Sequence, residues 1–250
     1  MNTAERWIRR YSPELPGAAQ LVFFPHAGGS ASYYRPFCLA LADRFEVSAL
    51  QYPGRQDRFA EPCVTDLDSL ADHVFARLRT MTGRPLAFFG HSMGALLAYE
   101  TARRFEEELG ISPVRLFASG RSAPSRPGET AVDLTGDRLL TEIRALGGTD
   151  PQLLDDEAML ELLLQPLRAD YQALQTYRFS PGPPLRCPVT ALSGASDPRT
   201  REDGVAAWRE HTQGEFDMRV FPGGHFFLSE HVEDVTALVT ERLSGVSQSG

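Results

Sequence analysis

The chain has 250 residues, of which 42% are hydrophobic and 23% charged, a composition that is ordinary for a globular protein and excludes general disorder. Its net charge of -8 disfavours non-specific binding to nucleic acid or to anionic membranes. All 25 basic residues are arginine, which excludes Schiff-base chemistry and a phosphate-binding lysine.

Short apolar runs alternate with segments of helical periodicity over the first 120 residues. The runs at 21–25, 46–52, 85–90 and 114–119 are predicted strands, and the segments 36–45, 66–81 and 95–109 are predicted helices. Largely apolar strands separated by helices indicate a mostly parallel central sheet with helices on both faces, which is an α/β fold.

The alternation stops near residue 121. Residues 122–128 have the composition of a loop, and 137–179 show helical periodicity without a strand, with Pro166 predicted to kink or break the helix. Strands at 189–192 and 218–221 and helices at 205–211 and 232–243 then resume the pattern. We therefore predict an α/β core of residues 1–122 and 181–250, interrupted by a helical insertion at 123–180.

A GxSxG pentapeptide centred on Ser92 lies directly between the strand 85–90 and the helix 95–109. This is the setting of a nucleophile elbow, a tight strand-to-helix turn that exposes a serine hydroxyl at the edge of the sheet. Glycines at 90 and 94 are expected because side chains there would collide with the neighbouring strand or helix. Ser92 is the predicted nucleophile.

An elbow serine needs a histidine base and an orienting acid, which follow it in the order acid, then histidine. His225 comes after the last predicted strand, whereas His211 and His231 lie in or beside helices, where solvated surface histidines are common. Asp197 follows the strand 189–192, whereas Asp170 is expected to be solvated or tied to a local arginine. Ser92, His225 and Asp197 are therefore the predicted catalytic triad.

An oxyanion hole takes one backbone N–H from the residue after the nucleophile, here Met93, and another from a loop after an early strand. Ala27, in the sequence HAGG at 26–29, is the expected second donor, and His26 is expected to form hydrogen bonds within its loop. A phosphate-binding reading of these glycines lacks the required motif spacing. No metal is expected, because His26, His91 and His225 have no accompanying carboxylate cluster.

The three cysteines are widely spaced and odd in number, which favours neither a disulfide framework nor a zinc site. Residues 1–10 lack the apolar core of a secretory signal, and no apolar run approaches the ~20 residues of a membrane span. We expect a soluble cytoplasmic protein, monomeric by default, that binds neither nucleic acid nor membrane.

Seven segments carry a resemblance to a known family: HAGGSASYYRPF (26–37), LQYPGRQDR (50–58), GHSMGALLAYE (90–100), LGGTDPQLL (146–154), LRADYQALQTY (167–177), SGASDP (193–198) and FPGGHFFL (221–228). They resemble the stand-alone type II thioesterases of polyketide synthases and nonribosomal peptide synthetases, which have the α/β-hydrolase fold. They are also similar to the medium-chain acyl-carrier thioesterase of animal fatty acid synthesis. The resemblance implies that the helical insertion at 123–180 is a lid over the acyl pocket.

The resemblance implies an editing hydrolase that removes aberrant or stalled acyl groups from the phosphopantetheine arm of acyl or peptidyl carrier proteins through an acyl-serine intermediate. It implies no cofactor of the enzyme's own. Loop arginines Arg55, Arg58, Arg121 and Arg126 are candidates for docking a carrier protein. The alternatives are a carboxylesterase or lipase acting on free esters, a medium-chain acyl-carrier-protein hydrolase, a macrocyclising thioesterase, and a binder that keeps the fold without the reaction.

Overall fold

The structure, a computed structural model, describes residues 6–126 and 157–244, including every side chain in these ranges except those of residues 157–163. The described strands are β1 (Ile8–Arg10), β2 (Gln20–Phe24), β3 (Glu46–Leu50), β4 (Leu86–His91), β5 (Arg115–Ser119), β6 (Val189–Gly194) and β7 (Phe216–Phe221). The described α-helices are α1 (Arg35–Leu41), α2 (Leu67–Leu78), α3 (Met93–Leu109), α4 (Glu157–Thr176), α5 (Glu202–Ala206) and α6 (Val232–Leu243).

The strands form one sheet in the order β1-β3-β2-β4-β5-β6-β7. All neighbouring strands run parallel except β1, which pairs antiparallel with β3 through Ile8 and Leu50. The mostly parallel sheet predicted from the apolar runs is therefore confirmed. Strand β1 was not predicted, because its three residues, IRR, carry no apolar run.

Two apolar layers cover the sheet, one on each face. Val22 and Phe24 of β2 point into the layer formed with α2 and α3, while Leu21 and Phe23 point into the layer formed with α1 and α6. This follows from the alternation of side chains along a strand, and it requires apolar residues at successive strand positions. All five residues of β2 are accordingly buried.

Local signals in the sequence set the ends of the helices near the sheet. The carboxylate of Asp66 accepts the N–H of Ser69 at 2.7 Å and so caps the start of α2. Gly110 ends α3 in the left-handed conformation, with φ 66°, which a residue without a Cβ adopts at little cost. Helix α3 thereby runs from the end of β4 back toward the start of β5.

Helix α4 lies between β5 and β6 in the chain and continues through Pro166. Of the two effects predicted for this proline, a break is wrong, and a kink stays a prediction. Pro166 lacks the N–H that would bond within the helix, but Leu164, Leu167 and Tyr171 around it are buried, and this packing holds the helix together. Apolar residues predicted at 139–146 lie outside the described residues, and the division into core 1–122 and 181–250 and lid 123–180 remains a prediction.

Within the described ranges, no helix is both long and apolar enough to cross a lipid bilayer.

Candidate active site

Ser92 stands at the point where β4 passes into α3. Its backbone has φ 55° and ψ -117°, a conformation that costs a non-glycine residue of the order of 1–3 kcal/mol. A Cβ on Gly90 would lie 2.1 Å from the carbonyl oxygen of Gly94, and one on Gly94 would lie 1.9 Å from that of Phe24. The strained turn and the two glycines expected of a nucleophile elbow are therefore present.

Asp197 and His225 are joined by a hydrogen bond. His225 Nδ1 lies 2.9 Å from Asp197 Oδ2, and the carboxylate is fully buried. The backbone N–H of Arg199 donates to the other oxygen, Oδ1, at 2.8 Å. With both oxygens engaged, the carboxylate is fixed in orientation and holds the imidazole with Nε2 turned away from it.

The strand order brings these residues to one edge of the sheet. Ser92 follows β4, Asp197 follows β6 and His225 follows β7, and parallel strands end at the same edge, where ligands of open α/β sheets bind. The ring of His91, next to Ser92, lies 5.1 Å from the ring of His225. Among the described residues no hydrogen bond joins the hydroxyl of Ser92 to His225, and contacts of this kind often tighten only when substrate binds.

The two predicted oxyanion donors also lie at this edge. Strands β2 and β4 are neighbours, with Phe24 opposite Gly90, so Ala27 and Met93 each lie three residues beyond paired positions. Met93 is the first residue of α3, and the N–H groups of a helix's first turn have no partner within the helix. Ala27 lies in a turn in which Gly29 N–H donates to His26 O at 2.9 Å.

Two further histidines surround His225. His26 packs edge-on against Tyr33 and Phe226, and its Nδ1 has no hydrogen-bond partner among the described residues. The predicted hydrogen bonding of His26 within its loop is made by its backbone carbonyl, which accepts the N–H of Gly29, and not by Nδ1 of the ring. The imidazole of His91 contacts Ser119 Oγ through Nδ1 at 2.9 Å.

Burial, assisted by the neighbouring His225 and Arg55, lowers the pKa of His26 to about 3. Burial likewise places the pKa of His91 well below its ordinary value, with His225 and His26 adding to the effect. Both rings are therefore neutral at neutral pH. Neither ring therefore adds a positive charge beside the imidazole of His225.

Two of the arginines predicted to dock a partner are buried. Arg55 forms a forked ion pair with Asp170: its Nη1 donates to Oδ2 at 2.8 Å and its Nη2 donates to Oδ1 at 3.0 Å. Arg58 donates to Gln51 O at 2.6 Å and lies over the ring of Trp7. Neither guanidinium is accessible, so the docking prediction is wrong for both. Both were chosen because they lie on a predicted loop, but their charges satisfy buried polar groups.

The same ion pair corrects the prediction for Asp170. Its carboxylate is 1% exposed and is bound to an arginine 115 positions away, so it is neither solvated nor tied to a local arginine. No periodicity or local spacing could have revealed this pairing. The only signal was that YPGR and LRADY both stood among the segments carrying the family resemblance, without a role in the predicted triad.

Of the other docking candidates, Arg126 forms an ion pair with Glu210, and its side chain is 43% exposed. Arg121 accepts a hydrogen bond from Trp208 Nε1 through its backbone carbonyl at 2.8 Å.

Within the part of the chain that the structure describes, no group of three His, Cys, Asp or Glu side chains could hold a metal ion.

Comparison with known proteins identifies the family. The sequence profile of the thioesterase domain matches residues 19–243. The chain is 47% identical over 243 residues to a probable cadicidin biosynthesis thioesterase of Streptomyces griseus, covering 97% of this chain and 67% of that protein.

Two solved structures give the same result. The type II thioesterase BorB from the borrelidin biosynthetic cluster is 49% identical, with a TM-score of 0.88 over 95% of this chain and 98% of that one. YbtT, a type II thioesterase from the yersiniabactin NRPS/PKS pathway, is 29% identical, with a TM-score of 0.84 over 94% of this chain and 97% of that one. These likenesses confirm the α/β-hydrolase fold, and the chain belongs to the thioesterase domain family and resembles its type II members.

Proposed function

We propose that this chain is an editing thioesterase that hydrolyses aberrant or stalled acyl groups from the phosphopantetheine arm of acyl or peptidyl carrier proteins. The observation that carries the proposal is the strained Ser92 turn at the sheet edge that also holds the 2.9 Å contact between His225 and Asp197. The choice of substrate is supported by the similarity to BorB and YbtT, which are type II thioesterases of the borrelidin and yersiniabactin biosynthetic systems.

In the first half of the reaction, Ser92 Oγ attacks the thioester carbonyl while His225 Nε2 takes the hydroxyl proton. Asp197 keeps the imidazole in the tautomer with the proton on Nδ1 and stabilises the imidazolium that forms. The N–H groups of Ala27 and Met93 bind the oxyanion, and each such donor is worth about 3 kcal/mol of barrier. The C–S bond then breaks, and His225 returns its proton to the departing thiolate.

In the second half, His225 takes a proton from water, whose oxygen attacks the carbonyl of acyl-Ser92. Collapse of the second tetrahedral intermediate breaks the ester bond, returns the proton to Ser92 Oγ and releases a carboxylic acid. The proposed reaction consumes one water and needs no cofactor. The free thiol stays on the carrier protein, whose arm can accept another acyl group.

In this proposal the carrier protein holds the acyl group on its phosphopantetheine arm and is the enzyme's partner. The enzyme then acts beside its synthase in the cytoplasm. Each methylene of the acyl group that the site buries contributes about 0.8 kcal/mol to binding. Apolar side chains of α4, including the buried Leu164 and Leu167, therefore belong to the candidate determinants of acyl preference.

The test compares kcat/KM for an acyl-phosphopantetheinyl carrier protein, the matching N-acetylcysteamine thioester and a p-nitrophenyl ester. Ser92→Ala is the blank, and Ser112→Ala, whose hydroxyl contacts Glu106 and not the site, is the matched control. We expect the carrier-bound thioester to be strongly preferred and its turnover to disappear only in Ser92→Ala. Faster turnover of the free ester would instead identify a carboxylesterase, and turnover unaffected by Ser92→Ala would contradict the mechanism.

A further inference from the structure

Helix α4 touches the loop after β2 with two side chains one helical turn apart. Asp170 Oδ2 accepts the backbone N–H of Gly28 at 2.7 Å. Leu167 Cδ1 lies 2.7 Å from the position that a Cβ on Gly28 would occupy. Since residues i and i+3 share a helix face, one face of α4 rests directly on this loop.

Arg55, the partner of Asp170 in the ion pair, also binds the loop after β2. Its Nη1 donates both to Asp170 Oδ2 at 2.8 Å and to Gly29 O at 3.1 Å. Its Nε donates to Pro53 O at 3.3 Å, within its own loop. The buried pair therefore binds an N–H of residue 28 and a carbonyl of residue 29, and it joins three segments that are distant in sequence.

These contacts hold a tight turn over residues 26–29. Gly29 N–H donates to His26 O at 2.9 Å, and Gly28 has φ 72° at the third position of the turn, as a type II turn requires. A peptide unit is planar, so the direction of His26 O sets the direction of the Ala27 N–H in the same peptide. Whatever fixes the turn also aims the predicted oxyanion donor.

We infer that Asp170, together with Arg55, is a positioning residue for the oxyanion hole. The inference rests on the proposed function, because it concerns the same reaction. Asp170 does not touch the reacting atoms; it holds Gly28, and through the turn it keeps the Ala27 N–H aimed at the developing oxyanion. Part of the segment predicted to be a lid thereby belongs to the frame of the active site.

A simpler role for Asp170 would be to attach α4 to the rest of the chain, and the structure offers a matched anchor that does only this. Tyr177, just beyond α4, donates its hydroxyl to the buried carboxylate of Glu100 in α3 at 2.7 Å. Tyr177→Phe removes that anchor and leaves the 26–29 turn with all its contacts. The two roles therefore predict different kinetics.

The test compares Asp170→Asn with Tyr177→Phe on a small thioester, N-acetylcysteamine-linked, and with a trifluoromethyl ketone inhibitor. Attack by Ser92 on the ketone forms a hemiketal oxyanion, so its inhibition constant reports the oxyanion hole without the leaving group. We expect Asp170→Asn to lower kcat by about 10–100-fold, to leave KM within about threefold, and to weaken the inhibitor by a factor similar to the loss in kcat. Tyr177→Phe should lower the Tm while kcat and the inhibition constant stay within about threefold of wild type.

If Asp170→Asn does not fold, Asp170→Glu carries the test. It keeps the negative charge that Arg55 requires, while its extra methylene moves the acceptor from its place beside Gly28 N–H. Wild-type kcat and inhibitor affinity in either folded variant, or equal kinetic losses in Tyr177→Phe, would overturn the inference. Absence of Ser92-dependent thioester turnover in the wild type would contradict the proposed function, whereas normal turnover in every variant would contradict only the role of Asp170.

Discussion

Gly94 and Phe24 approach so closely that a Cβ on Gly94 would lie 1.9 Å from the carbonyl oxygen of Phe24. Because of this contact, the start of α3 packs against the end of β2. Met93, the first residue of α3, thereby lies near the loop that carries Ala27. We expect Gly94→Ala to lower the free energy of unfolding by more than about 3 kcal/mol, because neither backbone can yield without moving a central element. Denaturant titration measures this loss.

Gly83→Ala is the control for that change. A Cβ there meets no atom within 4 Å, and φ is not in the left-handed region, so we expect stability within about 0.5 kcal/mol of wild type. Similar stabilities of the two variants would show that the approach of α3 to β2 is not tightly constrained.

Asp197→Asn tests the orientation of the imidazole. An amide keeps the size of the side chain, but its NH₂ group can turn toward His225 and favour the wrong tautomer, a change that lowers kcat by about 10⁴-fold in triads of this type. We expect a loss of that order with little change in KM.

The matched change is Asp203→Asn, at a carboxylate that is 76% exposed and pairs with the exposed Arg201. Its kcat should equal that of wild type. An Asp197→Asn enzyme that kept wild-type kcat would remove Asp197 from the mechanism.

The buried His26 makes stability depend on pH. Its pKa of about 3 in the folded chain lies below the value near 6.5 of an unfolded histidine, so between these pH values the unfolded chain binds one more proton. Stability is therefore complete above pH 6.5 and decreases as the pH falls toward 3, by about 1.4 kcal/mol per unit for this residue.

Urea titrations at pH 5 and pH 7 check this in the wild type and in His26→Gln. The variant removes the contribution of His26 and should reduce the difference between the two pH values by about 2 kcal/mol. His73→Gln is the control, since that imidazole packs at the surface against Trp7. An identical pH difference in His26→Gln and wild type would contradict the buried neutral state of His26.

Arg58→Glu separates a structural arginine from a docking one. The guanidinium is bonded to Gln51 O, pairs with Glu61 and covers the Trp7 ring, so a buried glutamate there should lower the free energy of unfolding by at least about 2 kcal/mol. The Michaelis constants for carrier-bound and small thioesters should change equally.

Arg126→Glu is its counterpart at an exposed ion pair with Glu210, and we expect stability to change by at most about 1 kcal/mol. A rise in KM confined to the carrier-bound substrate in Arg58→Glu would restore Arg58 as a docking residue.

Much of the architecture was readable from local patterns. The apolar runs predicted all six strands of the parallel part within two residues of their ends, because strands covered on both faces consist mostly of apolar residues. Single polar side chains, such as Arg115 and Thr190, are nevertheless buried among them. The sequence GHSMG predicted the strained turn at Ser92, because such a turn requires glycines two positions before and after the serine, and both lie within this five-residue segment. Strand β1 was not predicted, because it pairs with β3 through backbone hydrogen bonds, which require no particular pattern of side chains.

The positions of Asp197 and His225 in the candidate site could also be predicted from the sequence. Each was chosen because it follows a predicted strand, and the rule that parallel strands end at one edge was sufficient to place both together. The 2.9 Å bond between them agrees with that choice, while their roles in catalysis remain predictions until the variants are measured.

The parallel sheet, the elbow at Ser92 and the candidates Asp197 and His225 could be predicted from local sequence, because each depends on neighbours along the chain or on strand ends. The burial and pairing of Arg55, Arg58 and Asp170 became known from the folded chain alone. A charged side chain looks the same in sequence whether it is solvated or buried, and its partner can lie 115 positions away, as for Arg55 and Asp170. The difference is the free energy of removing a charge from water, which depends on what the fold places around it.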